Sequence, residues 1–300
     1  MDTKKERLEM FNIKEQIKRI GPTLQKNKFL GDLKPVEEFF VDECIKRGID
    51  HSYDVTASQY PEWETLGYTE YATNFIVAPL NNDLRRDMIM DSLLSPEPSM
   101  AWDKYYQQIV LNKQANKYSD RKSSRKKVRD SLLVPVGTNK FLQVLDIQKM
   151  IEICETENAF IKPHPLTTHE YVGMLKDKCG EVNVLDRDDD LYQFLSGCKK
   201  VYSTHYSESM LYAAMLGKDI DVIDKLGQHY KAGFWHYNSH ILRTPKEARI
   251  PQLNKILSSF HSGVFNPRVD KDWKSKMTMY LDYIEERRDH FAGMYRHYKK

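Results

Sequence analysis

Short apolar stretches alternate with amphipathic ones over residues 131–223, and this alternation constrains the fold more than any other feature of the sequence. The apolar stretches have the length and composition of strands and cover 131–136, 159–161, 182–185, 200–203 and 220–223. The stretches between them have the apolar spacing of helices and cover 142–155, 168–178, 191–196 and 207–216. Alternation at this spacing is typical of right-handed βαβ crossovers. The sequence therefore predicts an α/β fold with a parallel sheet.

The first 130 residues show a looser version of the same alternation. Helices are predicted over 10–20, 36–47, 83–94 and 102–114, and strands over 49–55 and 74–78. From Asp270 onward, apolar residues at helical spacing predict a terminal helix. We therefore expect three segments with boundaries at 1–130, 131–270 and 271–300.

Three features of composition exclude whole classes of protein. No run of 18 apolar residues occurs, so no membrane-spanning segment is expected. The first ten residues are charged throughout and lack the apolar core of a secretory signal. The cysteines lie far apart and form no C-x-x-C pair, which favours reduced thiols over a disulfide framework or a zinc knuckle. Together these features predict a cytoplasmic protein.

A stiff turn follows the predicted strand at 159–161. It reads Lys162-Pro163-His164-Pro165, and the two prolines fix the backbone on either side of the histidine. An imidazole donor beside a lysine ammonium at a strand end suits a phosphate or a leaving pyrophosphate. The alternative is a rigid structural turn whose histidine only caps a carbonyl. Taken alone, the turn favours that alternative.

A second group of polar residues lies where the predicted strand at 200–203 meets a helix. Ser203, Thr204 and Ser207 supply hydroxyls at this junction, and Glu208 stands in the first helical turn. Helix N-termini bind anions through free N–H groups and the helix dipole, and Glu208 could accept hydrogen bonds from ribose hydroxyls. Ordinary capping by Ser207 explains the same pattern equally well.

Together the two motifs resemble the donor-binding half of capsule-polysaccharide and sialyltransferase-like glycosyltransferases of the GT-B architecture. Those families carry an HP motif and a downstream Ser/Thr motif, and both contact the nucleotide and phosphate of the sugar donor. The resemblance covers about residues 131–225. It places His164 and Pro165 on the HP motif and Ser203, Thr204 and Ser207 on the Ser/Thr motif.

This resemblance implies a GT-B-like fold, with two Rossmann-like domains that face each other across a cleft. Residues 1–130 would form the acceptor side and 131–270 the donor side, with the helix in 271–300 packing back on the first domain. The expected co-substrate is a nucleotide-sugar, UDP- or CMP-linked, and no cofactor is expected. Lys162 and Glu208, which lie beside these motif residues, complete the expected donor-binding set.

The acidic cluster at 186–190 (DRDDD) invites a metal-binding interpretation, because carboxylates suit Mg²⁺ or Mn²⁺. The cluster directly precedes a predicted helix, where acids interact favourably with the dipole. Capping is therefore the favoured role, and no metal site is expected.

A basic run, KYSDRKSSRKKVR at 117–129, carries seven cations against the single acid Asp120. We expect contacts with the phosphates of double-stranded DNA or another polyanionic acceptor from Arg121, Lys122, Arg125, Lys126, Lys127 and Arg129. The alternative is a solvated linker or exposed helix face.

Phage-type DNA glycosyltransferases, which act on hydroxymethylated cytosine, are similar to this chain in architecture and charge. Transfer to a surface polysaccharide and a non-catalytic nucleic-acid-binding protein remain open alternatives.

Transfer to a hydroxyl needs a general base. Asp32 follows a short apolar stretch and precedes a predicted helix, so it is the candidate catalytic residue. His51, Asp54 and Glu70 are alternatives in the same half of the chain.

Overall fold

The computed structural model of the protein describes residues 33–53, 65–111, 123–137, 141–225 and 233–298. Within these ranges the chain forms two compact units. The first unit contains the described residues between 109 and 228. The second contains those between 28 and 108 together with those between 229 and 300. The helix predicted over 10–20 lies outside the described residues.

Strands and helices are numbered here in chain order. The strands are β1 (Asp50–Ser52), β2 (Thr65–Glu70), β3 (Phe75–Pro79), β4 (Ser131–Leu133), β5 (Ala159–Ile161), β6 (Lys200–Ser203), β7 (Asp219–Val222) and β8 (Val264–Phe265). The helices are α1 (Lys34–Arg47), α2 (Asn82–Leu94), α3 (Trp102–Leu111), α4 (Phe141–Val144), α5 (Ile147–Thr156), α6 (His169–Cys179), α7 (Leu191–Gly197), α8 (Glu208–Met215), α9 (Trp235–Arg243), α10 (Lys246–Ser258) and α11 (Trp273–Tyr298).

The first unit contains a parallel sheet in the order β5-β4-β6-β7. Ser131 of β4 lies opposite Ala159 on one side and Lys200 on the other. The predicted α/β class and parallel pairing are therefore confirmed for this part of the chain. Since all four strands run the same way, their carboxyl ends meet at one edge of the sheet.

Two predicted elements of this unit differ in the structure. The segment 182–185 is mostly a 3₁₀ turn, Glu181–Asn183, and only Val184 forms an isolated bridge with Ile161. The predicted helix 142–155 is broken, because Asp146 accepts a hydrogen bond from Lys149 N at 3.1 Å and so caps α5. That break lets the Asp146 N–H bond to Ile223 O at 2.8 Å, which ties the helix start to the end of β7.

The core of the first unit lies between the sheet and helices α5 and α6. Its strand residues are Leu133, Ile161 and Tyr202, and its helix residues are Met150, Ile153 and Leu175. All are buried, as the apolar spacing of the two helices requires. The packing fixes the strands from one face and leaves their carboxyl edge to the connecting turns.

The second unit has a mixed sheet in the order β1-β2-β3-β8, with parallel pairing only between β1 and β2. The link 71–74 between β2 and β3 has too few residues for a parallel crossover, so these two strands are antiparallel. The expectation of a second Rossmann-like sheet is therefore wrong for the described residues.

The division of the chain also differs from the expected boundaries at 130 and 270. β8 pairs with β3, so residues around 264 belong to the second unit. Helix α10 is tied to the same unit, because Asn254 Nδ2 donates to Asp103 Oδ1 at 2.8 Å. In that unit α11 packs on α1, where the rings of Trp273 and Phe39 lie 5.5 Å apart.

Candidate functional site

Four turns follow the strands at the carboxyl edge of the parallel sheet, where open α/β sheets hold their ligands. They contain Gly137 after β4, His164 after β5, Thr204 after β6 and Asp224 after β7. Because β4 lies between β5 and β6, the turns of His164 and Thr204 follow strands about 10 Å apart. The sheet thus brings the two predicted motifs to the same edge.

The His164 side chain is held in one orientation by its own turn. Its Nδ1 accepts a hydrogen bond from Leu166 N at 3.1 Å. The neutral imidazole therefore carries its proton on Nε2. A Cβ built on Gly137 would lie only 3.2 Å from Nδ1, so the ring rests against the backbone that follows β4. The arrangement makes Nε2–H the hydrogen-bond donor of this ring.

Lys162 is a bracing residue rather than an exposed cation. It is buried, and its Nζ donates to Pro163 O at 2.8 Å and to Arg187 O at 2.9 Å. The expected phosphate contact from Lys162 is therefore not how the structure uses this ammonium. The lysine joins the proline turn to the loop before α7 and so stiffens the position of His164.

The serine hydroxyls at the second motif form a chain with one direction. Ser203 Oγ donates its only proton to Val134 O at 3.0 Å, so Ser209 Oγ must donate across the 2.9 Å to Ser203. Ser207 Oγ then donates to Ser209 Oγ at 2.5 Å and accepts from Ser209 N at 3.2 Å. The capping role foreseen for Ser207 is confirmed. In this arrangement Ser203 and Ser207 give their protons to the protein.

Two threonine hydroxyls near this edge have no hydrogen-bond partner among the described residues. They belong to Thr204 and Thr167, and both residues are fully buried. An unpaired buried hydroxyl costs roughly 1–3 kcal/mol, which a ligand oxygen within reach would recover. Thr204 directly precedes the turn into α8, whose first-turn N–H groups and dipole favour an anion. Glu208, in that first turn, is itself buried.

A histidine and an aspartate that the sequence analysis missed lie at the same edge. His205 Nδ1 lies 2.9 and 2.8 Å from the two carboxylate oxygens of Asp224, and His205 N donates to Oδ2 at 3.2 Å. The pairing follows from the adjacency of β6 and β7, each of which ends two residues before one of these side chains. The available signal was a histidine and an acid that each follow a predicted parallel strand.

Two side chains of the acidic cluster at 186–190 accept hydrogen bonds from backbone N–H groups. Asp190 accepts a hydrogen bond from Tyr192 N at 3.0 Å and caps α7, and Asp189 accepts from Asp186 N at 3.0 Å. The capping interpretation is confirmed. Within the ranges that the structure covers, no three His, Cys, Asp or Glu side chains come together as a metal-binding group.

In the described part of the basic run, two cations have hydrogen-bond partners within the protein. Arg129 Nη1 donates to Ala159 O and Asn183 Oδ1 at 2.6 Å each, and its guanidinium lies 4.0 Å from the ring centre of Phe160. Lys126 Nζ donates to Val184 O at 3.0 Å. Lys126 and Arg129 therefore have structural partners, although Lys126 is exposed, as are Arg125 and Lys127. Arg121 and Lys122 lie outside the described residues.

The candidate catalytic base, Asp32, also lies outside the described residues, as does Asp54. The remaining alternatives belong to the second unit. His51 Nδ1 lies 3.1 Å from Ile49 O, and its ring packs against Phe40. Glu70 is buried on β2. The identity of the base therefore stays a prediction.

Comparisons with known proteins add little to this geometry. No protein-family model matches the chain, and no curated protein matches it. Among solved structures, the wall teichoic acid polymerase TagF is similar to 80% of this chain, at 13% identity and a TM-score of 0.27. The chain spans 53% of the length of that structure. A TM-score this low carries no argument about fold or activity.

One further property concerns membranes. Among the helices that the structure describes, none has both the length and the apolar character needed to cross a lipid bilayer.

Proposed function

We propose that this protein is a glycosyltransferase of the GT-B type that takes a sugar from a nucleotide-sugar. The donor diphosphate would lie at the carboxyl edge of the parallel sheet. One observation carries the proposal: the His164 turn and the N-terminal turn of α8 follow strands on either side of β4. One supplies an oriented imidazole donor, and the other supplies backbone N–H groups and a dipole.

Both elements act on the charge that develops when the bond between sugar and diphosphate breaks. Donors fixed in advance stabilise that charge without reorganisation during the reaction. The proline turn and Lys162 hold His164 in place, so little rotamer freedom is lost when the donor binds. We propose that the reaction is metal-independent. The acidic cluster at 186–190 favours this, since its Asp189 and Asp190 accept hydrogen bonds from backbone N–H groups.

We propose a hydroxyl of a surface polysaccharide as the acceptor, in preference to hydroxymethylated cytosine in DNA. The preference rests on the basic run, in which Lys126 and Arg129 are committed to internal partners. A duplex-binding surface gains affinity from each cation that neutralises a phosphate, so two engaged cations weaken the DNA interpretation.

The test is a thermal-shift panel with UDP, CMP and GDP, because a ligand of the folded state raises its melting temperature. We expect one nucleotide to stabilise the protein. His164→Asn should abolish the shift or lower donor hydrolysis roughly a hundredfold, since Asn Oδ1 can accept from Leu166 N but supplies no group at the Nε2 position.

His169→Asn is the matched control. His169 opens α6 in the same unit, is exposed and lies 2.9 Å from Arg187 Nη2. Donor hydrolysis should also persist in EDTA. A shift with duplex DNA and with none of the three nucleotides would overturn the proposal in favour of a nucleic-acid-binding protein.

A further inference from the structure

The pair formed by His205 and Asp224 is the feature of this edge that the two sequence motifs do not explain. The Asp224 side chain is 7% exposed and that of His205 is 19% exposed. The Asp224 carboxylate accepts hydrogen bonds from both the ring nitrogen Nδ1 and the backbone N–H of His205. A buried carboxylate with two such contacts fixes both the position and the rotamer of the histidine.

The pairing also fixes how the imidazole carries its protons. A carboxylate can only accept, so Nδ1 holds a proton and donates it to Asp224. For the ring to donate to an anionic ligand oxygen, Nε2 must carry a second proton, so that the ring then donates from both nitrogens.

Several polar side chains around this turn direct their protons to other protein groups. The protons of Ser203, Ser207 and Ser209 run towards Val134 O, and Lys162 is bound to two backbone carbonyls. His205 stands within the turn that leads into α8, which is closed by Ser207 N donating to Thr204 O at 3.0 Å. Thr204 offers a neutral hydroxyl, whereas His205 is the residue of this turn whose side chain can carry a positive charge.

We propose that His205, held by Asp224, contacts the diphosphate of the donor through Nε2–H and that Asp224 is its positioning residue. This inference rests on the proposed function and deepens it. In the reaction, the bond between the sugar carbon and the phosphate oxygen breaks, and its electron pair stays on that oxygen. The acceptor oxygen bonds to the sugar carbon and gives its proton to a separate base. His205 keeps its proton and stabilises the new negative charge through a charge-assisted hydrogen bond.

Calorimetric binding of inorganic pyrophosphate tests this contact without requiring the nucleotide or the acceptor. Loss of one charge-assisted hydrogen bond should weaken pyrophosphate binding by roughly tenfold to a hundredfold in His205→Ala. His205→Gln keeps a neutral N–H near the Nε2 position and should recover part of the affinity. Asp224→Asn keeps the ring in place but removes the charge that supports the imidazolium, so its affinity should fall between those of wild type and His205→Ala.

The controls change the same residue types in the same unit. His169→Ala removes an exposed histidine, and Asp221→Asn alters the half-buried aspartate of β7 that lies 3.5 Å from Lys149 Nζ. Both should bind pyrophosphate like wild type. Melting curves establish whether each variant is folded. If His205→Ala does not fold, the pyrophosphate affinity of His205→Gln tests the contact instead.

The outcomes separate the two proposals. If wild type binds pyrophosphate and the folded His205 variants bind it equally well, the His205 contact is wrong while the proposed donor site stands. If wild type binds neither pyrophosphate nor any nucleotide of the panel, the proposed function fails and this inference fails with it. Weaker binding in His205→Ala with normal binding in His169→Ala supports the contact.

Discussion

Replacing Gly137 with alanine should impair donor binding by pushing on His164. The added Cβ would lie 3.2 Å from Nδ1, 3.6 Å from Cγ and 3.7 Å from Cε1 of the imidazole. Favourable contact begins at about 3.5 Å, so the ring must retreat by roughly 0.3 Å. The backbone of Gly137 lies outside the left-handed region, and alanine therefore adds this contact without backbone strain.

The size of the effect follows from how the ring is braced. Pro163, Pro165 and the bond from Leu166 N at 3.1 Å resist the movement, and a retreat along that bond would stretch it towards its limit of about 3.5 Å. A weakened neutral hydrogen bond costs about 1 kcal/mol, so the free energy of unfolding should fall by that much at most. Because a 1 Å displacement at a reacting centre costs about a hundredfold, we expect roughly a threefold to tenfold loss in donor hydrolysis.

The measurement pairs donor hydrolysis with thermal unfolding in two variants. Gly173 lies in α6, and a Cβ there meets nothing within 4 Å. Gly173→Ala should therefore keep wild-type hydrolysis and raise stability by up to about 1 kcal/mol, as expected for glycine replaced inside a helix. Full activity in a folded Gly137→Ala variant would refute the claim that the position of His164 limits the site.

Two further predictions concern buried and basic residues outside the donor motifs. Burial lowers the pKa of Lys276 to about 8 from its ordinary 10.5, against the opposing effect of Asp270 and Glu97. Between pH 8 and pH 10.5 Lys276 holds its ammonium proton in the unfolded chain but not in the folded chain. The free energy of unfolding should therefore rise with pH across this range, by about 3 kcal/mol in total. Lys276→Met should lose this rise in denaturant titrations at pH 7 to 11, and parallel pH profiles would show that Lys276 does not cause it. Arg129→Ala should lower the free energy of unfolding by about 1–3 kcal/mol, because it removes two hydrogen bonds and the contact with Phe160. Lys127→Ala, at an exposed position, should change it by less than about 0.5 kcal/mol, and equal losses in the two variants would contradict the structural role of Arg129.

The elements around the proposed donor site could be predicted from sequence because their signals are local. Thr168 accepts from Tyr171 N and caps α6, and Ser207 caps α8, as short-range patterns indicate. The parallel pairing, though not the order of the strands, could be inferred from strand and helix lengths, since each crossover needs an intervening helix. These signals lie within a few residues of the elements that they define.

The second unit could not be predicted in this way because its sheet depends on pairing between distant segments. β3 pairs with β8, which lies about 190 residues further along the chain. β8 has only two residues, so no periodic pattern identifies it. From residue 229 onward the chain belongs to the second unit, so the boundary lies near 229 and not at the predicted 270.

The types of residue at the strand ends predict where the candidate site lies better than they predict the role of each side chain there. Lys162, Ser203 and His164 all follow or end parallel strands, yet the first two direct their protons to backbone carbonyls. A buried ammonium or hydroxyl must find an acceptor wherever it is placed, and nearby carbonyls satisfy that need at once. Imidazoles differ because one ring nitrogen can be anchored while the other remains a second polar atom. Histidines at this edge can therefore be fixed by the fold and still act on a ligand, which is why the proposed chemistry rests on His164 and His205.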